Sequence, residues 1–247
     1  MSCLKSRKGR PIGRPFFCVT MMTGMVMIPT AGRAATQGYS ITSFDTVRLE
    51  APVRVEIATG GGVSARGEGD RDLLDRVDMQ VSGRSLVVRL RRIEGSTGRK
   101  GGGPLLLKLS TDSVARAMVM GGGVLVIDRI RGQRADLGVT GDGEMKVGVL
   151  AVDRLQALMA GGGRMILAGR AGQVDIRIIG PGAIDAEALS GRDVVVANNG
   201  AGSLRVSAIT SANIVATGSG DTAVLGTPAC TVKQAGSGRV ACAGRDY

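Results

Sequence analysis

Short runs of alternating apolar and polar residues recur through the second half of the chain. In residues 174–178 the three aliphatic side chains share one side, and Asp175 and Arg177 share the other. A two-residue period predicts a β-strand with one face in a core and the other in water. Further β-prone runs lie at residues 124–127, 165–167, 194–196 and 204–206. The nearest approach to a helical pattern, residues 150–159, is interpreted as two strand ends and a corner.

Seven Gly-x-Gly triplets separate these runs at steps of 20, 20, 19, 20, 18 and 18 residues. Glycine reaches positive φ angles without a steric clash, so each triplet is predicted to form a corner between strands. The first and third residues of the triplets are Gly121 and Gly123, Gly141 and Gly143, Gly161 and Gly163, Gly180 and Gly182, Gly200 and Gly202, Gly218 and Gly220, and Gly236 and Gly238.

Two folds compete for this pattern. Gly-x-Gly could close antiparallel hairpins in a sandwich or meander, or it could turn the corners of a parallel β-helix. A sandwich has no reason to repeat every 18–20 residues, whereas stacked coils must repeat. We therefore predict an all-β fold, a single-stranded right-handed parallel β-helix (β-solenoid) with about 18–20 residues per coil. Its core should be narrow and aliphatic, since the chain has no Trp.

The chain before the ladder is less regular. Residues 47–57 alternate, with Val47, Leu49, Val53, Val55 and Ile57 on one side. We predict one β-helix domain over residues 35–247, in which 35–117 form irregular coils or a cap and 118–247 form the regular ladder. Residues 230–247 are expected to close the far end, and residues 94–103 are predicted to be a disordered loop.

Residues 1–34 have the features of a cleavable signal peptide. A basic stretch precedes the apolar residues 16–27, and small residues lead to a cleavage site predicted between Ala34 and Ala35. A retained membrane anchor is the alternative, but the apolar stretch is short for a span. No transmembrane segment is expected after cleavage. Removing the leader takes six of the 32 basic residues and none of the 21 acids, so the net charge falls from +11 to +5.

The remaining basic excess is concentrated in residues 84–100. One interpretation is a solvated strand followed by a loop; the other is a patch for an anionic polymer or membrane headgroups. Nucleic acid is not expected as a partner of an exported protein that lacks aromatic stacking platforms near this segment.

Several segments together resemble a known family. They are Phe44-Asp45-Thr46-Val47, the strand around residues 53–57, residues 81–88, and the ladder with its turns Gly218-Ser219-Gly220-Asp221 and Gly236-Ser237-Gly238. The chain is similar over almost all of residues 35–247 to the bacterial head GIN domain family, whose members are described by analogy as auto-transporter adhesins. The resemblance implies a right-handed parallel β-helix and an adhesion-type role.

The residues offer little catalytic chemistry. The chain has no His, and only Cys230 and Cys242 follow the leader, so His-dependent catalysis and a four-thiolate zinc site are excluded. No catalytic residue, cofactor or metal is predicted. The two cysteines flank the last Gly-x-Gly corner, which suggests a disulfide that closes the final coil; two separate buried thiols are the alternative.

The predicted function is a non-enzymatic exported scaffold, an adhesion-type or cell-envelope interaction protein with an unknown envelope, glycan or protein partner. The periplasm is the favoured location, and the cell surface or the extracellular space is possible. The alternative is a polysaccharide-active β-helix enzyme that uses outward carboxylates. Its candidate acids are Asp128, Asp175, Asp185, Glu187 and Asp221.

Overall fold

A computed structural model of the chain describes residues 35–91 and 105–247. The described residues are about 70% strand and 2% helix and form a parallel β-solenoid of about six turns, which confirms the predicted fold class. The elements are β1 (Ala35–Gly38), β2 (Thr46–Leu49), β3 (Arg54–Thr59), β4 (Ser64–Gly69), α1 (Arg71–Leu74), β5 (Val77–Ser82), β6 (Ser85–Leu90), β7 (Leu106–Thr111), β8 (Arg116–Met120), β9 (Val124–Thr140), β10 (Glu144–Ala160), β11 (Arg164–Ile179), β12 (Ala183–Asn198), β13 (Ser203–Ala216), β14 (Thr222–Gly226), β15 (Ala229–Gln234), β16 (Val240–Cys242) and β17 (Arg245–Asp246).

Strands β9 to β13 each run nearly once around the solenoid, and each pairs in parallel with the next. Residue 124 faces 144, 144 faces 164, 164 faces 183, and 183 faces 203, so the steps equal the spacing of the glycine triplets. These strands are 14 to 17 residues long, longer than the predicted runs, because backbone pairing continues through the bends.

Burial along β10 shows where each coil bends. Buried positions alternate at 145 and 147, resume at 150 and 152, and resume again at 155, 157 and 159. Two adjacent outward residues, 148–149 and 153–154, mark each interruption, since an alternating strand exposes consecutive residues only where it turns. Each coil therefore has three sides. Face 1 contains residues 144–147 and their register partners, face 2 contains 149–152, and face 3 contains 156–160.

The glycine triplets stack on one another along the edge between face 3 and face 1. A Cβ placed on Gly143 would lie 2.7 Å from the Gly121 carbonyl oxygen, and one on Gly182 would lie 2.8 Å from that of Gly161. The first four triplets also begin at positive φ, from 93° at Gly121 to 123° at Gly161. Close approach between successive coils therefore demands glycine at these corners in addition to the turn conformation.

The N-terminal region reaches the same ladder by another route. Strand β3 pairs in parallel with β9 on one side and with β7 on the other, while β2 lies between β6 and β8. Strand β7 thus lies between β3 and β4, which both precede it in the chain, and β8 lies between β2 and β9. Strand β4 joins β7 in antiparallel pairing, and β1 joins β4 in the same way.

Different structures cover the two ends of the core. The N-terminal end of the core is covered by α1, whose Leu74 side chain is buried. The Tyr39 hydroxyl donates to the Leu74 carbonyl oxygen at 2.8 Å. At the C-terminal end, β17 pairs antiparallel with β16. A disulfide joins Cys230 in β15 to Cys242 in β16, with Cα atoms 6.3 Å apart. The bond links face 3 of the last coil to face 1 through the interior.

Candidate functional site

The outward side chains form ladders, because each coil places its residues directly above those of the previous one. On face 3 one ladder runs Arg48, Met118, Gly138, Leu158, Arg177. Gly138 has no side chain, and a Cβ there would lie 2.5 Å from the Met118 sulfur. The Met118 side chain therefore lies over Gly138, and the shallow depression beside it, which we call the Gly138 depression, is lined by Met118, Leu158 and the polar groups around them.

Asp136 organises the charges beside this depression. Its carboxylate accepts from Arg134 Nε at 2.7 Å and lies 3.2 Å from an Arg116 nitrogen, while Arg134 also donates to Gln156 at 2.7 Å. Partial burial by itself would raise the pKa of Asp136, but the hydrogen bonds and charges of Arg134 and Arg116 outweigh it and hold the pKa below its usual value. Asp136 therefore remains ionised and anchors the two arginines.

The five acids proposed for an enzyme lie on different parts of the solenoid. Asp175 is on face 3, Asp185 on face 1, and Glu187 at the bend after it. Asp128 accepts hydrogen bonds from the backbone and hydroxyl of Thr59, both at 3.0 Å, and Asp221 accepts from the Arg239 backbone at 3.0 Å. A polysaccharide-cleaving site needs two carboxyl groups facing one substrate bond, and these positions provide no such pair.

The electrostatics of the carboxylates point the same way. Arginine neighbours lower the pKa of Asp45, Glu50 and Asp136. Hydrogen bonds from Ser211 and then from Arg192 lower the pKa of Asp193. A general acid requires a raised pKa. Across residues 35–91 and 105–247, no three acidic or cysteine side chains are grouped to hold a metal ion. Nor does this part of the chain contain a helix long and apolar enough to cross a bilayer.

A second surface lies at the bends around face 2. We call Arg131, Arg134, Arg154, Arg170 and Arg192 the arginine strip. Its members come from four successive coils, and they line two adjoining shallow grooves. Arg134 and Arg154 are register partners, and Arg131 and Arg170 lie two coils apart in the neighbouring ladder. The strip surrounds Asp153, Gln133 and Gln173.

The predicted basic segment 84–100 has a different character where it is described. Arg84 pairs with Asp45 at 2.6 Å, and Arg89 pairs with Glu50 at 2.7 Å. Two of its cations therefore fasten β6 to the chain around β2. Residues 92–100 and the whole predicted loop 94–103 lie outside the described residues, as do Ala34 and the rest of the leader.

Sequence reasoning did not find the arginine strip or a corner amide that recurs in the ladder, buried at Asn198 and exposed at Gln234. The alternation of buried and outward residues restarts at every bend. The sequence positions of Arg131, Arg154 and Arg170 therefore do not show that these arginines belong to one surface. Asn198 is fully buried; its amide nitrogen donates to the Gly202 carbonyl at 3.0 Å and to the Thr222 hydroxyl at 3.1 Å. Gln234, two rungs along the same ladder, donates to the Gly238 carbonyl at 2.7 Å. The sequence pattern Asn/Gln-x-Gly-x-Gly, which both positions share, is the signal that predicts an amide bonded to the glycine corner.

These features define a class of protein: a parallel β-solenoid with flat, laddered outer faces. A family model described as "Putative auto-transporter adhesin, head GIN domain" matches residues 43–228. The chain belongs to this head GIN domain family. No protein with a curated description matches it.

Solved structures with the same fold cover nearly all of the described chain. A crystal structure of a "putative adhesin" from Bacteroides fragilis NCTC 9343 is 17% identical over 85% of this chain and 97% of that chain, with a TM-score of 0.79. A "putative lipid binding protein" from Parabacteroides distasonis ATCC 8503 is 18% identical over 85% and 97% of the two chains, with a TM-score of 0.62. At these identities the likeness establishes the fold alone.

Proposed function

We propose that this protein is a non-enzymatic, adhesion-type scaffold of the cell envelope that binds its partner through face 3. The observation that carries the proposal is the composition of this face. Around the Gly138 depression, outward aliphatic side chains stand beside arginines that carboxylates hold in place. Ile179 and Val195 are 50% and 47% exposed on the same face. Apolar surface framed by oriented charges is the usual composition of a surface that binds a macromolecule.

The distribution of acids supports binding over catalysis. The candidate carboxylates are dispersed over the coils of the solenoid, and the carboxyl groups with shifted pKa values favour the ionised form. Family membership agrees with an adhesion-type role, since the family description names adhesins. The same family suggests export or display at the surface.

A binding screen combined with a turnover screen tests the proposal. The full-length protein is applied to a glycan array and to immobilised envelope polymers, and the same ligands are assayed for cleavage. We expect saturable binding without product. The Val195→Arg variant should weaken binding, whereas Val63→Arg, which makes the same change at a 37% exposed residue in the turn between β3 and β4, should leave it unchanged. Released sugar, or equal loss in both variants, contradicts the proposal.

Export by cleavage after Ala34 completes the proposal, with the periplasm as the compartment. The basic and apolar segments of residues 1–34 support it. Expression of the full chain in a bacterium, followed by osmotic release and mass measurement, tests it. We expect a released protein that begins at Ala35; an intact protein that stays with the membranes would instead show a retained anchor.

A further inference from the structure

We propose that the arginine strip is a second binding site, and that it takes a linear anionic polysaccharide whose carboxylates repeat along the chain. The strip follows the solenoid axis, so its cations come at intervals set by the coils. Stacked strands are about 4.8 Å apart. Arg134 and Arg154 are one coil apart and Arg131 and Arg170 are two, which gives spacings of about 5 and 10 Å. An extended polyuronate offers charges with a comparable repeat.

Two of the five charges of the strip are paired with carboxylates, and three have no carboxylate partner within the described structure. Arg134 is paired with Asp136 and Arg192 with Asp193, at 2.7 and 3.0 Å. Among residues 35–91 and 105–247, no carboxylate oxygen lies within 4.0 Å of the guanidinium of Arg131, Arg154 or Arg170. Arg154 is instead oriented by Gln173, whose amide oxygen accepts from its Nε at 3.1 Å. Its remaining donors face solvent, in the forked geometry that binds a carboxylate with two hydrogen bonds.

The floor between these arginines is built from small residues. Ala151, Gly169, Ala171 and Gly172 line the two grooves. The glycines are required by packing, since a Cβ on Gly172 would lie 2.6 Å from the Asp153 carbonyl oxygen. One consequence is a floor without projecting side chains, on which a sugar chain can lie within reach of the arginines and of the Gln133 and Asp153 side chains.

A membrane surface is the competing partner for a row of cations. Proteins that bind at a bilayer interface insert aromatic or large aliphatic side chains beside their basic residues. Beside the strip stand two exposed aliphatics, Val149 and Ile209, which line one of the two grooves, and the sequence from 118 to 246 contains no Phe, Tyr or Trp. A line of cations over a smooth floor matches a narrow polymer better than a plane of headgroups.

The test measures binding of the full-length protein to polygalacturonate, to neutral dextran, and to phosphatidylcholine vesicles containing phosphatidylglycerol. We expect polygalacturonate alone to bind, and binding to weaken as salt is added. The Arg131→Gln/Arg170→Gln variant should lose about tenfold in affinity. The control Arg164→Gln/Arg239→Gln removes the same charge from exposed positions on face 1 and should stay within about twofold.

Each other outcome overturns the inference. An equal loss of polygalacturonate affinity in the two double variants would show general charge attraction. Binding to the vesicles without binding to polygalacturonate would assign the strip to membranes. If the protein binds neither of them, the strip is not a binding site. The inference takes the protein to be the binding scaffold proposed above, but the two can fail separately. If Val195→Arg no longer binds a face 3 partner that Arg131→Gln/Arg170→Gln still binds, the scaffold proposal stands even though polygalacturonate does not bind.

Discussion

The two halves of this solenoid build the same ladder from different sequence distances. From β9 to β16, each strand pairs in parallel with a neighbour 17–20 positions away. In the N-terminal region, Arg54 pairs with Val124 and Thr46 with Arg116, both 70 positions away. The core does not change across this boundary, since Val55 lies under Leu125 as Leu125 lies under Met145. Stacked coils thus require matched registers and do not require that the matched segments be consecutive.

The difference has a consequence for cooperativity. A coil of the ladder contacts the two coils next to it, so its stability depends on local interfaces. The N-terminal region holds segments 46–59 and 106–120 in one interleaved unit, so neither can separate without breaking pairs on both sides. We expect the ladder to open from its C-terminal end and the N-terminal region to open as a whole.

The largest effect is expected from filling a ladder corner. Gly143→Val places a side chain whose Cβ is 2.6 Å from the Val119 side chain and 2.7 Å from the Gly121 carbonyl. Adjacent coils would have to separate, and we expect unfolding to become easier by about 4 kcal/mol or more. Thermal and urea unfolding measure the change.

Two other glycines provide the controls. A Cβ on Gly122, in a ladder corner, or on Gly61, in the N-terminal region, meets no atom within 4 Å. Gly122→Val and Gly61→Val should therefore cost less than about 1 kcal/mol. If Gly61→Val were as damaging as Gly143→Val, the contrast between stacked corners and the N-terminal turn would be wrong.

The next effect concerns the C-terminal disulfide. Replacing Cys230 and Cys242 by Ala removes a link that closes 12 residues, worth about 3 kcal/mol on loop entropy. Hydrogen exchange should accelerate within residues 229–246 and remain unchanged in 46–59, because only the last coil loses its closure. Uniform acceleration over both regions would show that the solenoid opens as a single unit.

The sequence predicted the ladder well because coil length is a spacing, and spacing is visible in a single chain. The Gly-x-Gly steps match the observed registers, and the alternation at residues 174–178 matches the observed burial. The interleaving was not predictable in this way. The alternation at 47–57 shows which side chains point inward, but it holds no information on whether β3 pairs with its neighbour or with β9.

The buried amide of Asn198 should have an intermediate effect. Asn198→Ala would leave the Gly202 carbonyl and the Thr222 hydroxyl without their partner inside the core, which costs about 2 kcal/mol. Asn199→Ala is the matched control, because this neighbour is exposed and accepts only from the Thr217 hydroxyl at 3.1 Å. Equal melting temperatures for the two variants would show that the buried network does not stabilise the corner.

The candidate surfaces were less accessible to sequence reasoning than the fold. The sequence concentrates basic residues at 84–100, which suits either a solvated strand with a loop or an anion-binding patch, and Arg84 and Arg89 of this segment are paired with carboxylates. The arginine strip was missed because its members, such as Arg134 and Arg170, come from bends where the coil lengths differ. Only Arg134 and Arg154 preserve the 20-residue step. The depression on face 3 depends on Gly138, whose role appears only when Met118 and Leu158 are aligned on either side of it.

The smallest expected effect is a pH dependence of stability that comes from one ion-paired carboxylate in each region, Glu50 in the N-terminal region and Asp136 in the ladder. A hydrogen bond from Arg89, with the charges of Arg89 and Arg48, holds the pKa of Glu50 below its usual value despite partial burial. The pKa of Asp136 is also lowered. A carboxyl group with a lowered folded pKa stabilises the protein above its unfolded pKa, and this contribution is lost as pH falls through the folded pKa.

Glu50→Gln and Asp136→Asn should therefore lower the melting temperature at pH 7 by an amount that shrinks towards pH 3. Each exposed pair is worth less than about 1 kcal/mol. Asp142→Asn, at an exposed corner with no cation within 4.0 Å in the described chain, is the control. Because Glu50 connects β2 to Arg89 across 39 positions, its loss should also speed exchange in both β2 and β6. Faster hydrogen exchange in β2 alone would contradict the claim that the N-terminal region opens as one interleaved unit.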